Sequence, residues 1–599
     1  MIKNQYIFLI ILLGLNLANN TRAQEETWDT FYEKSGYKQT PNYEQTIDYC
    51  IRLDEASPWV KYTTFGTSPQ GRKLPLLIVD RNGYSDPISV RNSGNLVILI
   101  QAGIHAGEID GKDAGLMLFR DIAIHQKHFQ ILENLTILFI PIFSVDGHER
   151  FSPYNRINQN GPEEMGWRTT AQNLNLNRDY LKADAPEMHA WLQLYQRWLP
   201  DFFMDIHATD GADYQYASTY GLEVLGNMDQ GLSDWAMETL IPGMEQQMDE
   251  EGYPVFPYVM FRRWHDPRSG LRSGVAPPRY STGYTATQNR IGLLVENHML
   301  KDYETRVSAT YELIRVVCGI LNEDASRVRD LNALADMSTA SPVFREIPFP
   351  VRFTAGPDSI MVDFRGVNYE VETSDLTGGP WFRYHPDKDT TFRLPFFYQQ
   401  LPERTVQLPE AYIIPPEWTE VIKRLPLHGI DYSILKKRAF VQVQSFKFRD
   451  YEWRNTPYEG RFILNTEWDT IEELREYPAG SVVVDMNQRT ARVIACIFEP
   501  SSQDSYLEWG FFNTIFERKE YFETYVMEGI ARKMIEENPV LEVEFKQWKE
   551  EHPEFANNQW VQLEWFYRRS PWWDPKKDVY PVGKIMDRLE VEEAVRLSD

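Results

Sequence analysis

Five short, mostly apolar runs mark the first half of the chain, and each leads into Gly, Asp, His or Glu: RKLPLLIVDR, GNLVILIQAG, NLTILFIPIFSVDG, DFFMDIHATD and RIGLLVENH. Runs that are apolar on both faces suit the central strands of a covered sheet, because a strand with one wet face alternates instead. Patterns of helical period lie among them: DGKDAGLMLFRDIAIHQ, APEMHAWLQLYQRWL and, after the last run, DYETRVSATYELIRVVCGIL. Strands alternating with helices predict an α/β domain with a mixed, largely parallel central sheet and helices on both faces. Ligands of such sheets bind outside the strand ends. Three of the runs close on His or Glu there.

The alternation stops near Asn332. Residues Met337 to Phe353, MSTASPVFREIPFPVRF, carry three prolines and no helical period, as a linker or an edge would. Beyond them VDFRGVNYEVET, KRAFVQVQSFKFRDY, EGRFILNTEW and GSVVVDMNQRTARVIACIFEP largely alternate apolar and polar residues, the pattern of half-exposed antiparallel strands. Helices return at WGFFNTIFERKEYFETYVMEGIARKMIEEN. With 599 residues the chain is too long for one core. The expected organisation is an α/β domain over 24–335 and a β-rich C-terminal accessory region over 336–599.

The opening residues MIKNQYIFLIILLGLNLANNTRAQ combine an early lysine, an apolar run and a small-residue exit. They read as a secretory leader, residues 1–23, cut after Ala23. The apolar run is shorter than the ~20 residues of a spanning helix, so no transmembrane anchor is expected after processing. The mature protein is expected outside the cytoplasm, periplasmic or secreted. A formal net charge of −25 argues against nucleic acid, whose phosphates need a basic surface. Cys50, Cys318 and Cys496 lack zinc-ligand spacing and are expected as small buried hydrophobes.

IQAGIHAGEIDGKDAG sets His105 and Glu108 three residues apart, just past an apolar strand, with Gly103 and Gly107 permitting a tight turn. Hydrolytic zinc needs three protein ligands and an open position, with His nitrogen and carboxylate oxygen as common donors. His207, closing DFFMDIH, supplies a third, and the small polar residues after it leave room. Taken singly, each histidine is more often a cap, a loop residue or a hydrogen-bonded core residue. Activated water needs a base, and a leaving amine needs a proton. Glu296 in IGLLVENH is a carboxylate at the end of a buried run, which requires a partner or a task. The alternative for it is an ion pair with Arg290. Asp110, opening the following helix, reads as a helix cap rather than a ligand.

With those residues in place the chain resembles the zinc carboxypeptidases of the carboxypeptidase A type, over roughly Tyr43 to Asn322. His-x-x-Glu matches His105 and Glu108, the later histidine ligand matches His207, and the general-base glutamate matches Glu296. GWRTT supplies a Trp-Arg pair, Trp167-Arg168, and NLNLNRDY an Asn-Arg pair, Asn177-Arg178. The resemblance implies one Zn²⁺ ion and a peptide or protein substrate with a free C-terminal carboxylate. Arg168 would stabilise the oxyanion, and Asn177 with Arg178 would grip that carboxylate. The family's substrate-capping tyrosine falls on Tyr284 or Tyr280, and Gly283 beside Tyr284 favours Tyr284. The interval from Asn177 to His207 is short for the family, and its specificity loop finds no clear counterpart.

The segment YPAGSVVVDMNQ through EPSSQDSYLEWGFFNTIFERKEYFE resembles C-terminal extensions of long bacterial members. Trp572 and Trp573 suit either a stacking platform or packing between domains, and His385, His428 and His552 are isolated. Two other functions fit the motifs: a zinc amidase or deacylase acting on cell-wall peptides or acyl amino acids, and a non-catalytic binding protein.

Overall fold

The computed structural model describes residues 27–209 and 211–596, so the expected leader lies outside the described residues. The first half carries strands β1 (Val60–Thr67), β2 (Lys73–Asp80), β3 (Leu96–Ala102), β4 (Leu135–Ile140), β5 (Phe202–Thr209), β6 (Ser218–Leu222), β7 (Val255–Pro257), β8 (Leu271–Arg272) and β9 (Ile291–His298). All except β8 join one sheet in the order β1-β2-β4-β3-β5-β9-β6-β7. Its centre, β4-β3-β5-β9, is parallel throughout, while β1, β2 and β6 pair antiparallel toward the edges. All five apolar runs are strands of this sheet.

The helices around it are α1 (Tyr43–Ala56), α2 (Asp110–Ala123), α3 (Pro186–Trp198), α4 (Ser281–Thr287), α5 (Tyr303–Glu323) and α6 (Ala325–Ala340). Every residue of β3 and β4 is buried. The two-residue period of a strand sends alternate side chains to opposite faces. Leu77, Ile98, Ile100, Phe139 and Met204 meet α1, α2 and α5 on one face. Leu76, Val97, Leu99, Leu138 and Phe203 on the other meet α3 together with Tyr412, Ile414 and Phe512 of the second half. The two halves of the chain thus share a core.

Two local expectations give way here. Helix α6 continues through Asn332 and across residue 335 to Ala340. It is held where the Asn332 amide donates to the Asp201 carbonyl at 3.0 Å and where Ala335 is buried. The run GSVVVDMNQRTARVIACIFEP is a strand only in part, and helix α7 (Ala491–Phe498) follows, buried at nearly every residue. An apolar run of this length reads alike as buried strand or buried helix, and the surroundings arbitrate.

The remaining strands are β10 (Phe349–Ala355), β11 (Ile360–Thr373), β12 (Pro380–Phe397), β13 (Gln400–Val406), β14 (Ala411–Ile414), β15 (Ser433–Ile434), β16 (Ala439–Trp453), β17 (Leu464–Tyr477), β18 (Val482–Asp485) and β19 (Gly583–Ile585). β10 pairs with β13, and the long hairpin β11–β12 adds β8 at its edge. The others form a six-stranded sheet ordered β15-β18-β14-β19-β16-β17. Helices α8 (Thr524–Glu537), α9 (Val540–Glu551) and α10 (Gln559–Tyr567) surround a small separate core, and Trp573 packs on it while Trp572 stays exposed. The three cysteines are free and buried. Among the described residues no helix is long and apolar enough to cross a membrane.

Candidate active site

The chain leaves β3 toward β4 on one side of the sheet and later returns to β5 on the other side of β3. The crevice at their carboxyl ends is therefore the topological switch point where α/β sheets bind ligands. Gly103 takes φ +67°, which turns the backbone out of β3. The Glu108 amide closes the turn by donating to the His105 carbonyl at 2.8 Å. A side chain at Gly107 would stand 2.7 Å from the Gly166 carbonyl oxygen, so the turn is packed as well as tight. His207 on β5 lies directly across the ladder from Glu296 on β9. Four residues from three strand ends thus meet over one crevice.

His105, Glu108 and His207 are only 4%, 3% and 1% exposed. Their donor atoms form a nearly equilateral triangle: His105 Nδ1 to Glu108 Oε2 is 3.1 Å, His207 Nδ1 to Glu108 Oε2 is 3.1 Å, and the two Nδ1 atoms are 3.2 Å apart. Edges of this length are close to what tetrahedral zinc bonds of about 2.0–2.2 Å subtend. The far nitrogens set the tautomers. His105 Nε2 donates to Asn175 Oδ1 at 3.1 Å, an oxygen identified by its second donor, the Asn177 amide. His207 Nε2 donates to Asp205 Oδ2 at 2.9 Å. In the neutral form a bound cation would require, with the proton on Nε2, the two imidazoles would present lone pairs at both Nδ1 atoms, alongside a carboxylate oxygen, so the donor set suits a cation.

Charge follows the same geometry. Burial lowers His105 to about 4. Burial also opposes the charged form of His207, but Asp205 and then Glu108 raise it well above the usual imidazole range. Burial would raise Glu108, yet His105 and Arg156 hold it well below the usual carboxylate range. Burial pushes the half-buried Glu296 up to about 8, with His207 opposing and Glu108 and Asp205 adding to the rise.

Arg168 reaches the site: its NH1 donates to Glu108 Oε1 at 3.1 Å. Arg156, not anticipated from sequence, meets the same oxygen at 2.7 Å and is far more buried. It sits in the polar loop SPYNRINQN, which carries no motif. Asp205 was also missed, although Asp-x-His on a strand places both side chains on one face. Asn177 accepts from the Ser281 amide at 3.3 Å, and the Arg178 guanidinium lies 4.3 Å from the centroid of the Tyr280 ring. Arg156, Arg168, Asn177, Arg178 and Tyr280 line one cavity of about 990 Å³ with the His-Glu-His triangle and Glu296.

Tyr284 lies elsewhere. It is fully buried in α4, its hydroxyl is 3.0 Å from His428 Nδ1, and its ring packs beside Tyr180 and Tyr195. Gly283 marks close packing rather than a mobile loop, because the Ala276 and Pro277 carbonyls press on the space its side chain would fill. Of the two candidates it is Tyr280, just before α4, that lies on the cavity wall. Asp110 does not cap α2. It accepts from buried Arg306 Nε and Asn297 Nδ2, both at 3.1 Å. Arg290 pairs with Asp336 at 2.9 Å, which leaves Glu296 to the crevice.

The second half touches this machinery. Glu459 accepts the Asn175 amide at 3.1 Å, behind the residue that orients His105. Asp504 accepts the Arg279 amide at 2.9 Å and pairs with its guanidinium at 2.6 Å, next to Tyr280.

Residues 46–221 match the family model described as zinc carboxypeptidase, a span that holds the triangle, Arg168, Asn177 and Arg178. Among solved structures, a metallo-carboxypeptidase from Pseudomonas aeruginosa is 18% identical, covering 48% of this chain and 70% of its own, with TM-score 0.36. Carboxypeptidase A from Helicoverpa armigera is 17% identical, covering 54% and 82%, with TM-score 0.36. Among curated relatives, carboxypeptidase 2 of Trichophyton rubrum is 24% identical over 493 residues, 78% of this chain and 84% of its own. Carboxypeptidase 2 of Trichophyton tonsurans is 23% identical over 503 residues, with the same shares. On the family match and these curated relatives, the chain carries a domain of the zinc carboxypeptidase family.

Proposed function

We propose that the protein is an exported zinc metallocarboxypeptidase that hydrolyses the C-terminal peptide bond of peptides. The observation that carries this reading is the convergence of two Nδ1 lone pairs and one carboxylate oxygen on a single point, with Glu296 in the neighbouring register. His105, Glu108 and His207 are the residues to hold one Zn²⁺. When bound, zinc supplies Lewis-acid polarisation of the scissile carbonyl and lowers the pKa of water toward ~7.

Glu296 takes the proton of the attacking water and delivers it to the leaving amine nitrogen as the C–N bond breaks. A carboxyl whose pKa is pushed up by burial suits both transfers. The Arg168 guanidinium, at the edge of the triangle, faces charge developing on the carbonyl oxygen. Arg178, with the Asn177 amide, forms a fork for the terminal carboxylate of the substrate. Tyr280, stacked on Arg178, takes the capping position. Export rests on the leader reading of residues 1–23.

The test is to incubate the zinc-loaded protein and its Glu296→Gln variant with a mixed peptide library and read products by mass spectrometry. The expected result is stepwise C-terminal trimming by the parent and a loss of several orders of magnitude in the variant. Internal cleavage, or release of acyl groups with the peptide ends untouched, would overturn the carboxypeptidase reading.

A further inference from the structure

The cavity is not built by the zinc carboxypeptidase domain alone. Ile360, Phe396 and Tyr398, from the hairpin of the second half, line it as well. Ile360 on β11 stands opposite Phe396 on β12, and Tyr398 lies two residues further along, 6.5 Å from Phe396 between ring centroids. The three side chains make a short apolar strip.

The strip is fixed to the catalytic half by backbone pairing. Strand β12 runs parallel to β8, with Phe396 opposite Leu271 and Phe397 opposite Arg272. Ser273 continues the contact: its amide donates to the Phe397 carbonyl at 2.9 Å and its hydroxyl to the Tyr398 carbonyl at 2.8 Å. Gln400 Nε2 returns a hydrogen bond to the Ser273 carbonyl at 3.2 Å. From Ser273 the chain runs along the cavity wall to Tyr280. The strip and the substrate-side loop are therefore positioned as one piece.

Depth assigns the occupant. Asn177 and His207 lie buried on the floor, whereas Ile360 is 49% and Tyr398 39% exposed, at the mouth. A peptide whose terminal carboxylate is held on the floor must leave through the mouth, so side chains upstream of the terminal residue pass the strip. A cavity of about 990 Å³ is at the upper end of the ~300–1,000 Å³ of small-molecule sites and has room for more than a terminal residue. We infer that Ile360, Phe396 and Tyr398 form a subsite for an apolar side chain upstream of the C-terminal residue of the peptide substrate. The second half of the chain thereby takes part in substrate selection. This inference rests on the carboxypeptidase reading for the direction in which the peptide lies.

The test is binding, so that it stands apart from hydrolysis. Zinc-loaded Glu296→Gln protein is titrated calorimetrically with peptides of two to five residues that share one terminal residue and carry Leu or Asp at each upstream position in turn. At one upstream position Leu is expected to bind tighter than Asp by on the order of tenfold. Adding Tyr398→Ala or Ile360→Ser should bring that ratio toward one, and Tyr398→Phe should restore it. Leu376→Ser, at the 89% exposed tip of the same hairpin, should leave it in place. An unchanged ratio in the Tyr398 and Ile360 variants, no upstream preference, or no peptide binding would overturn the subsite. Discrimination that depends on the strip in a protein whose parent cleaves nothing would keep the subsite and overturn the hydrolytic reading.

Discussion

At the scale of single residues, the site depends on groups that touch the metal ligands without being ligands themselves. Asp205 holds His207 in the tautomer that leaves Nδ1 free. Asp205→Asn is expected to weaken zinc affinity about 10–100-fold with the fold intact, measured by chelator competition. Glu223, away from the ligands, is a different case. It lines the cavity, is 4% exposed and accepts the Ala276 amide. Burial pushes its carboxyl up to about 8, against an ordinary value of 4.5. The folded state therefore holds a proton that the unfolded chain releases. Its contribution is fully present below about 4.5 and is lost as pH rises through about 8. Glu223→Gln should gain stability relative to the parent between pH 5 and pH 8, read from urea midpoints. A constant difference across that window would mean the carboxylate is ionised throughout. Sequence alone showed His105 and Glu108 because three residues and two glycines make a local turn. It could not show Arg156, whose role is defined only by Glu108 across the fold.

At the scale of elements, β3, β5 and β9 matter through their order in the sheet. Their apolar composition predicts burial, but only the pairing sets His207 beside Glu296. Helix α4 decides which tyrosine faces the cavity, turning Tyr284 inward and leaving Tyr280 at its start. The segment before it is pinned by Asp504, fully buried against Arg279. Asp504→Asn would leave the Arg279 charge without its partner in a largely buried place. The expected cost is about 3–5 kcal/mol of stability in urea unfolding, because a buried charge stripped of its counter-ion keeps its desolvation penalty. A loss under ~1 kcal/mol would show that the Tyr458 and Trp509 rings, 5.6 and 5.3 Å from the guanidinium, compensate it.

At the scale of the molecule, the two halves are bound by apolar contact and by charge. One face of the catalytic sheet packs against Tyr412, Ile414 and Phe512, and Asp184 accepts from both Arg424 and Arg461 at 2.6–3.1 Å. A fragment ending at residue 335 would expose to water, at ~25 cal/mol per Å², the part of this shared core that Tyr412, Ile414 and Phe512 fill. It would also cut α6 within its span. Such a fragment is expected to lose cooperative unfolding and the near-ultraviolet circular dichroism of packed aromatics. A soluble fragment with the unfolding slope of an intact domain would show the halves to be independent.

By itself the sequence determined which segments are buried strands, which are amphipathic helices, and that a His-x-x-Glu turn, a histidine and a glutamate end three of the strands. These are short-range properties, written in periods of two and 3.6 residues and in the turn chemistry of glycine. The tertiary structure decided the rest: the proton partner of His207, the arginines on Glu108, the choice of Tyr280 over Tyr284 on the wall, and the hairpin at the mouth. Apart from the Asp205–His207 pair, which sits at strand spacing, those contacts join residues tens to more than a hundred positions apart, and no repeat or spacing along the chain encodes them. They arise because burying the apolar strands stacks them side by side, which brings distant strand ends and loops, and the hairpin that pairs with β8, to one crevice.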